Sequence, residues 1–170
     1  MNSKFFLDMD GVVADWRANA VAVLGYDCFD PSIRYSSQDW DKLRSDTRIY
    51  LKLPVMPHAH KLVNVARRYR DQLGWELNFL TAIPHNNDIP WVCWDKMLWA
   101  QLHFPDIPVH FGPYSEDKQR HCSSPGDILV DDRLSNCSQW QACGGKAFKV
   151  GLRLDEIIPQ VEADLYSRIK

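Results

Sequence analysis

The sequence has no long apolar run and no pair of cysteines at the spacing of a metal or redox motif. None of its apolar stretches approaches the length of a membrane-spanning helix. The cysteines are odd in number and form no C-x-x-C pair, which argues against a disulfide framework and a zinc site. The first predicted strand begins at Lys4, which leaves no room for a signal peptide. We therefore expect a soluble cytoplasmic protein with free thiols and no membrane partner.

An excess of charge of one sign is also lacking. The chain has 20 Lys and Arg against 22 Asp and Glu, so its formal net charge is −2. Without a basic excess we expect no long nucleic acid as a partner, although a single nucleotide is compatible with this balance. Hydrophobic residues make up 45% of the 170 residues, which is enough for one compact domain. The oligomeric state stays open between a monomer and a homodimer.

Five short apolar runs have the continuous character of strands that are buried on both faces. These predicted strands are Lys4–Asp8, Glu76–Thr81, Val109–Phe111, Asp127–Asp131 and Lys146–Val150. Apolar residues at helical spacing predict helices at His58–Gln72, Asp88–His103 and Leu154–Ile169. This alternation predicts an α/β fold, a Rossmann-like three-layer sandwich with a five-stranded parallel sheet.

The first crossover of this sheet is too long for a simple loop. We interpret residues 15–57 as a small helical cap inserted after strand 1, and residues 1–14 and 58–170 as the core domain. Within the cap, Tyr35 and Trp40 are expected to form the cap's own core. Three further tryptophans at helical spacing are expected to be packing residues: Trp91, Trp94 and Trp99.

The first strand runs into the segment FFLDMDGVVAD, in which Asp8 and Asp10 are followed by Gly11. Ligands of open parallel sheets bind beyond the carboxyl ends of the strands. Three other segments bring polar residues to that same edge: Thr81, Lys118 and the pair Asp131-Asp132. The convergence of four separate segments predicts a site that binds a metal ion and a phosphate.

Each of these side chains has a chemical role in such a site. Asp8 is the candidate nucleophile towards phosphorus, and Asp10 is the candidate general acid and base. A Mg²⁺ ion would be held by Asp8, the backbone carbonyl of Asp10 and a carboxylate of the Asp131-Asp132 pair. Phosphate contacts are expected from three further residues: Gly11, Thr81 and Lys118.

Four motifs in order give the chain its resemblance to a known family. DMDGVVADW, LTAIP, EDKQRHC and LVDDRLSN resemble the four motifs of the haloacid dehalogenase-like (HAD) phosphatases, and more narrowly of the 5′(3′)-deoxyribonucleotidases. The resemblance implies a HAD-like fold with strand order 5-4-1-2-3. It also implies hydrolysis of deoxyribonucleoside monophosphates through an aspartyl-phosphate, with Mg²⁺ as cofactor.

The resemblance also assigns residues. It implies that Asp132 reaches the metal ion directly with Asp131 in support, and that Trp16 contacts the nucleoside. A core-packing role for Trp16 is an equally good interpretation. Ala82 stands beside the phosphate where the family often has a serine, so one hydroxyl contact is missing. The predicted cap is shorter than in the animal enzymes of the family.

Two alternatives stay open at this point. The first is a HAD phosphatase for another small phosphate or for the 3′-phosphate end of a nucleic acid. The second is a catalytically silent domain that binds a nucleotide or a protein. The presence of Asp8, Asp10 and Lys118 argues against the silent domain.

Overall fold

The computed structural model describes residues 2–28, 32, 36–85 and 89–169. Within them the strands are β1 (Lys4–Leu7), β2 (Glu76–Thr81), β3 (Val109–Phe111), β4 (Ile128–Asp131) and β5 (Lys146–Lys149). All pairings are parallel and the strand order is β3-β2-β1-β4-β5. This is the predicted order read from the opposite edge, so the predicted sheet is confirmed.

The α-helices of the described residues are α1 (Trp16–Leu24), α2 (Ser37–Arg44), α3 (Ala59–Leu73), α4 (Val92–His103), α5 (Leu134–Ala142) and α6 (Ile158–Arg168). Short 3₁₀ helices lie at Ile49–Lys52, Ser115–His121 and Leu154–Glu156. Helix α5 was not predicted, because its sequence is mostly polar and buries only a short stripe. Each described helix is too short or too polar to cross a lipid bilayer.

Strand β1 is central and is covered on both faces. Phe5 and Leu7 belong to the large core on one face of the sheet, and Phe6 belongs to a smaller cluster on the other face with Leu129 and Trp140. All of these side chains are buried. Burial on both faces explains why the strand sequences are continuously apolar, and it leaves the carboxyl ends of the strands as the place for polar side chains.

The chain between β1 and α3 contains α1, α2 and a 3₁₀ helix, which is consistent with a cap. Its last part is fixed to the core through α4. The indole Nε1 of Trp99 donates a hydrogen bond of 2.7 Å to the carbonyl oxygen of Leu53, and Arg48 forms an ion pair with the buried Asp95. The division of the chain into core and cap domains stays a prediction.

The expectation for the three tryptophans in α4 and just before it is partly wrong. Trp99 is fully buried as predicted, but Trp91 is 52% exposed and Trp94 is 57% exposed. Helix α4 has apolar residues around its whole circumference, so its periodicity does not reveal which side faces the core. Two other predicted residues, Tyr35 and the helix start Asp88, lie outside the described residues.

Candidate active site

The loop that follows β1 carries the first three predicted site residues. Its backbone turns tightly after Asp8, with the amides of Val13 and Ala14 both donating to the carbonyl oxygen of Met9. Gly11 has a φ of +76°, and a Cβ at this position would lie 2.5 Å from Oδ2 of Asp132. Glycine therefore provides both the left-handed turn and the close approach to the fourth-motif aspartate.

Lys118 reaches this loop from the 3₁₀ helix that follows β3. Its ammonium nitrogen lies 2.7 Å from Oδ2 of Asp8 and 2.7 Å from Oδ2 of Asp131. The side chain is 2% exposed. Burial opposes the charge of Lys118, but the two carboxylates outweigh burial and raise its pKa, so the charged form persists. Lys118 thus links the ends of β1 and β4 through its ion pairs with Asp8 and Asp131.

Three carboxylates form a compact cluster around this lysine. Asp8, Asp131 and Asp132 each offer one oxygen, and these oxygens all lie within 4.8 Å of one another. Burial raises the pKa of Asp8 to about 8; Lys118 opposes this shift, and the neighbouring carboxylates add to it. Burial and the charge of Asp131 raise the pKa of Asp132 to about 6. The cluster has more negative charge than its own lysine neutralises.

Asp131 and Asp132 differ in what their carboxylates contact. Asp131 is fully buried and both of its oxygens accept hydrogen bonds, from the Arg133 amide, the Asn136 amide group and Lys118. Asp132 lines the cavity, and within the described residues its carboxylate accepts no hydrogen bond. The difference leaves Asp132 with lone pairs for an external ligand, whereas Asp131 holds the ends of β4 and α5 together.

These residues fit a hard divalent cation. The donor set consists of carboxylate oxygens, which are the ligands that Mg²⁺ prefers. A cation among them would supply the missing positive charge and favour the ionised forms of Asp8 and Asp132. A further oxygen nearby, Oδ1 of Asp10, is buried and has no hydrogen-bond partner within the described part of the chain.

Lys96 is a site residue that the sequence analysis missed. It lies on α4, is 1% exposed, and its ammonium group donates to Oδ2 of Asp10, to Oγ1 of Thr81 at 2.8 Å and to the carbonyl oxygen of Ala82 at 2.9 Å. It also lies 4.8 Å from the ring centroid of Tyr50. The site therefore contains a second buried cation, which holds Asp10 against the end of β2.

No signal in the sequence pointed to Lys96, because α4 has apolar residues around its whole circumference and only the fold shows which side is buried. The buried residues of α4 are Val92, Asp95, Lys96, Trp99 and Ala100. They recur at the three- and four-residue spacing of a single helix face. Once the fold shows that this face packs inwards, its two charged residues are expected to be paired, because unpaired charges are too costly to bury.

A cavity of about 1010 Å³ opens over the cluster. Most of the predicted site residues line it: Asp8, Asp10, Gly11, Trp16, Ala82, Lys118 and Asp132. Two do not, since Thr81 and Asp131 are fully buried behind the wall. Residues of the chain between β1 and α3 also line the cavity, including Trp40 and Tyr50.

Trp16 stands at the start of α1, where Asp15 caps the helix. Its ring stacks on Tyr50, with centroids 5.3 Å apart and an interplanar angle of 19°, and tilts against Trp40 at 6.4 Å. Trp16 is half-buried and lines the cavity at the same time. Packing and substrate contact are therefore compatible for this residue, which sequence reasoning treated as alternatives.

No family model matches the chain, and no curated protein matches it. Solved structures do resemble it. A hydrolase from Streptococcus pneumoniae matches with a TM-score of 0.54 at 10% identity, over 91% of this chain and 96% of that chain. The protein YfnB from Bacillus subtilis, bound to magnesium, matches with a TM-score of 0.53 at 12% identity over the full length of both chains.

A third match is described as a member of the HAD family. It is a HAD family enzyme from Bacteroides thetaiotaomicron, an aspartate-to-alanine mutant in complex with magnesium and inorganic phosphate. Its TM-score is 0.50 at 14% identity, over 89% of this chain and 95% of that chain. The fold of this chain is therefore HAD-like: an α/β fold with a five-stranded parallel sheet and helices inserted after β1.

Proposed function

We propose that this chain is a Mg²⁺-dependent phosphatase of the HAD type that hydrolyses a deoxyribonucleoside monophosphate. The observation that carries the proposal is the joint approach of Asp8, Lys118 and Asp132 at the carboxyl edge of the sheet. A nucleophile, a buried cation and a carboxylate free to bind a metal ion are the groups that phosphoryl transfer requires.

Asp8 is the proposed nucleophile. Its carboxylate attacks the phosphorus atom, a new bond forms between phosphorus and an Asp8 oxygen, and the bond to the ester oxygen breaks. Asp10, after it has taken up a proton from solvent, gives that proton to the leaving oxygen. In the second step Asp10 takes a proton from a water molecule, which attacks phosphorus, releases inorganic phosphate and restores Asp8.

The two buried lysines have separate tasks in this pathway. Lys118, in contact with Asp8 and Asp131, offsets negative charge where the phosphoryl group would bind. Lys96 contacts Asp10 and Thr81, and it orients the acid and base against the end of β2. Thr81 accepts a hydrogen bond from Lys96 and lies behind the cavity wall, so it helps to hold Lys96 beside the site.

The proposed metal ligands are Asp8, Asp132 and the backbone carbonyl of Asp10, with Asp131 in support. When bound, Mg²⁺ stabilises the charge on the phosphoryl oxygens and keeps the nucleophile ionised. The oxygen-rich cluster supports this assignment. Further support comes from two HAD-like neighbours whose structures contain magnesium, one of them together with inorganic phosphate.

The substrate class rests on the motif resemblance and on the cavity. About 1010 Å³ is far more space than a phosphate group fills, and it lies at the upper end of the range for small-molecule sites. Trp16 and Trp40, whose ring centroids lie 6.4 Å apart, give the cavity an aromatic wall. An aromatic wall favours a planar base over a sugar phosphate, because rings stack with a defined geometry.

A panel of phosphomonoesters with Mg²⁺ tests this proposal, with Asp8→Asn as the matched control. The panel holds deoxyribo- and ribonucleoside 5′- and 3′-monophosphates, sugar phosphates and an oligonucleotide with a 3′-phosphate. We expect phosphate release from deoxyribonucleoside monophosphates well above the ribose forms, and none from Asp8→Asn. Turnover confined to another class of phosphomonoester would mean that the proposed substrate is wrong. If no compound in the panel releases phosphate in an Asp8-dependent way, the proposal is overturned.

A further inference from the structure

Arg133 differs from the other arginines that the structure describes. Each of those forms an ion pair with an aspartate or a glutamate. Arg133 has no such partner among the described residues, although it directly follows Asp131 and Asp132 in the sequence. The hydrogen bond of its guanidinium group runs from Nη1 to Oγ of Ser115, at 3.4 Å. The side chain is exposed and lines the cavity, so most of its N–H donors remain for a ligand there.

Lys149 lines the same cavity from the end of β5. It lies opposite Asp131 in the β4–β5 register, and the amide of Val150 donates to the carbonyl oxygen of Asp131. Its ammonium group donates to the carbonyl oxygen of Val150 at 2.9 Å and, within the described chain, contacts no carboxylate. Like Arg133, it is exposed. Two cations without a carboxylate partner therefore lie at the β4–β5 end of the carboxyl edge.

The candidate position of the reacting phosphate already has its own cation. Lys118 contacts Asp8 at the end of β1. Strand β5 is two strands away from β1, which is about 10 Å at a strand spacing of about 4.8 Å. Arg133 follows β4, the strand that lies between them. Arg133 and Lys149 are therefore placed beside a phosphoryl group at Asp8 rather than around it.

We propose that Arg133 and Lys149 form a subsite for a second phosphate, and that the preferred substrate is a deoxyribonucleoside 3′,5′-bisphosphate. This inference rests on the proposed function, because it narrows the substrate class of the same site. The phosphate at Asp8 is hydrolysed by the pathway given above. The phosphate on the other sugar hydroxyl binds the two cations and stays on the product, a monophosphate. A guanidinium group binds phosphate through two parallel hydrogen bonds, and an ammonium group adds a point charge.

A second phosphate on the same sugar fits the site better than two other arrangements. In a nucleoside diphosphate the two phosphorus atoms share a bridging oxygen, which is too short a link to reach cations on the β5 side of the site. A nucleic-acid strand needs basic surface that continues beyond the cavity, whereas the other described arginines are paired with carboxylates and the net charge is −2. The cavity, of about 1010 Å³, has room for a base, a sugar and both phosphates.

Steady-state kinetics with Mg²⁺ tests the substrate preference. The compounds are thymidine 3′,5′-bisphosphate and the thymidine 5′- and 3′-monophosphates, with the products identified by chromatography. We expect kcat/KM of the natural chain to be at least about tenfold higher for the bisphosphate, because charge-assisted hydrogen bonds to phosphate are strong. Equal values for the bisphosphate and the better monophosphate would overturn the proposal.

Substitutions at the subsite test which residues cause the preference. Arg133→Gln and Lys149→Met should each lower kcat/KM for the bisphosphate at least about fivefold more than for the monophosphates. Arg133→Lys keeps the charge but loses the planar fork, so its loss should lie between those of the natural chain and Arg133→Gln. The matched control is Arg120→Gln, since the Arg120 side chain is 78% exposed and does not line the cavity. It should keep the full preference for the bisphosphate.

A binding measurement separates this inference from the proposed function. Titration calorimetry of Asp8→Asn with Mg²⁺ compares the same nucleotides without turnover. Bisphosphate binding that is at least about tenfold tighter, and that is weakened by adding Arg133→Gln, supports the subsite even if the natural chain hydrolyses no phosphomonoester.

Three further results would overturn the inference. The first is equal affinity of Asp8→Asn for the bisphosphate and the monophosphates. The second is an equal loss of kcat/KM for both classes in Arg133→Gln, which would place Arg133 at the reacting phosphate. The third is a clear preference of the natural chain for a dinucleotide with a 3′-phosphate over the bisphosphate, which would assign the two cations to a nucleic-acid strand.

Discussion

Lys96 and Asp10 form an ion pair at the floor of the cavity, although they are 86 positions apart in the sequence. The lysine is 1% exposed, whereas the aspartate side chain is 31% exposed and faces the cavity. The pair joins α4 to the loop after β1. Because the same ammonium group also reaches Thr81, it links the candidate acid and base to the end of β2.

Replacement of Lys96 should therefore damage catalysis more than binding. We expect Lys96→Met to lower kcat about a hundredfold with a smaller change in KM, since Asp10 loses the group that orients it. The matched control is Lys61→Met, which removes an exposed lysine from α3. Steady-state kinetics with the best phosphomonoester gives both constants. A kcat equal to that of the control would refute a positioning role for Lys96.

Gly11 and Gly25 allow backbone strain to be separated from crowding at the metal site. Both have positive φ, +76° and +80°, but a Cβ at Gly25 meets nothing within 4 Å, whereas one at Gly11 meets Asp132. Each alanine should cost about 1 kcal/mol of folding free energy from the left-handed backbone. Only Gly11→Ala should also displace the Asp132 carboxylate.

The measurement for this pair is the Mg²⁺ concentration that half-activates phosphate release. We expect it to rise at least about tenfold in Gly11→Ala and to stay unchanged in Gly25→Ala. Equal Mg²⁺ requirements in the two variants would mean that Asp132 does not contact the metal ion.

The pKa of Asp8 predicts a pH dependence of stability without metal. The pKa is raised from 3.8 to about 8, mainly by burial. Between these two values the unfolded chain has released a proton that the folded chain retains, so the free energy of unfolding falls as the pH rises. Above about pH 8 both states are ionised and the fall stops.

Urea unfolding in EDTA, compared with Asp8→Asn, isolates this effect. The natural chain should lose stability relative to Asp8→Asn as the pH rises from 5 towards about 8. Added Mg²⁺ should reduce this pH-dependent loss of stability in the natural chain, because a bound cation favours the ionised carboxylate. A constant difference between the two proteins across this range would contradict a raised pKa for Asp8.

The sheet was predictable because its signals are local. Continuous apolar runs ending in polar residues gave the strands to within a residue at either end, and β2 and β3 matched at both ends. The candidate site followed from the same pattern, since parallel strands bring their carboxyl ends to one edge. The approach of Asp8, Lys118 and Asp131 is the result of that topology.

The rest of the fold depended on packing that no local pattern contains. Helix α4 has apolar residues around its whole circumference, so only the tertiary structure decides that Lys96 faces inwards and Trp94 outwards. Helix α5 buries Asn136, whose side-chain amide donates hydrogen bonds to Asp131 at the end of β4. No repeat in the sequence indicates this contact between a helix and the preceding strand. The position of Thr81 behind the cavity wall also depends on tertiary packing, since Lys96 lies beside its hydroxyl group.

The central claim is that Asp8 carries the phosphoryl group. Its most direct test is an acid quench during turnover of a radiolabelled phosphomonoester with Mg²⁺, followed by peptide mapping. The account predicts label on the peptide that contains Asp8, its release by hydroxylamine as for an acyl phosphate, and no label in Asp8→Asn. Label on a different residue, or turnover that continues in Asp8→Asn, would contradict it.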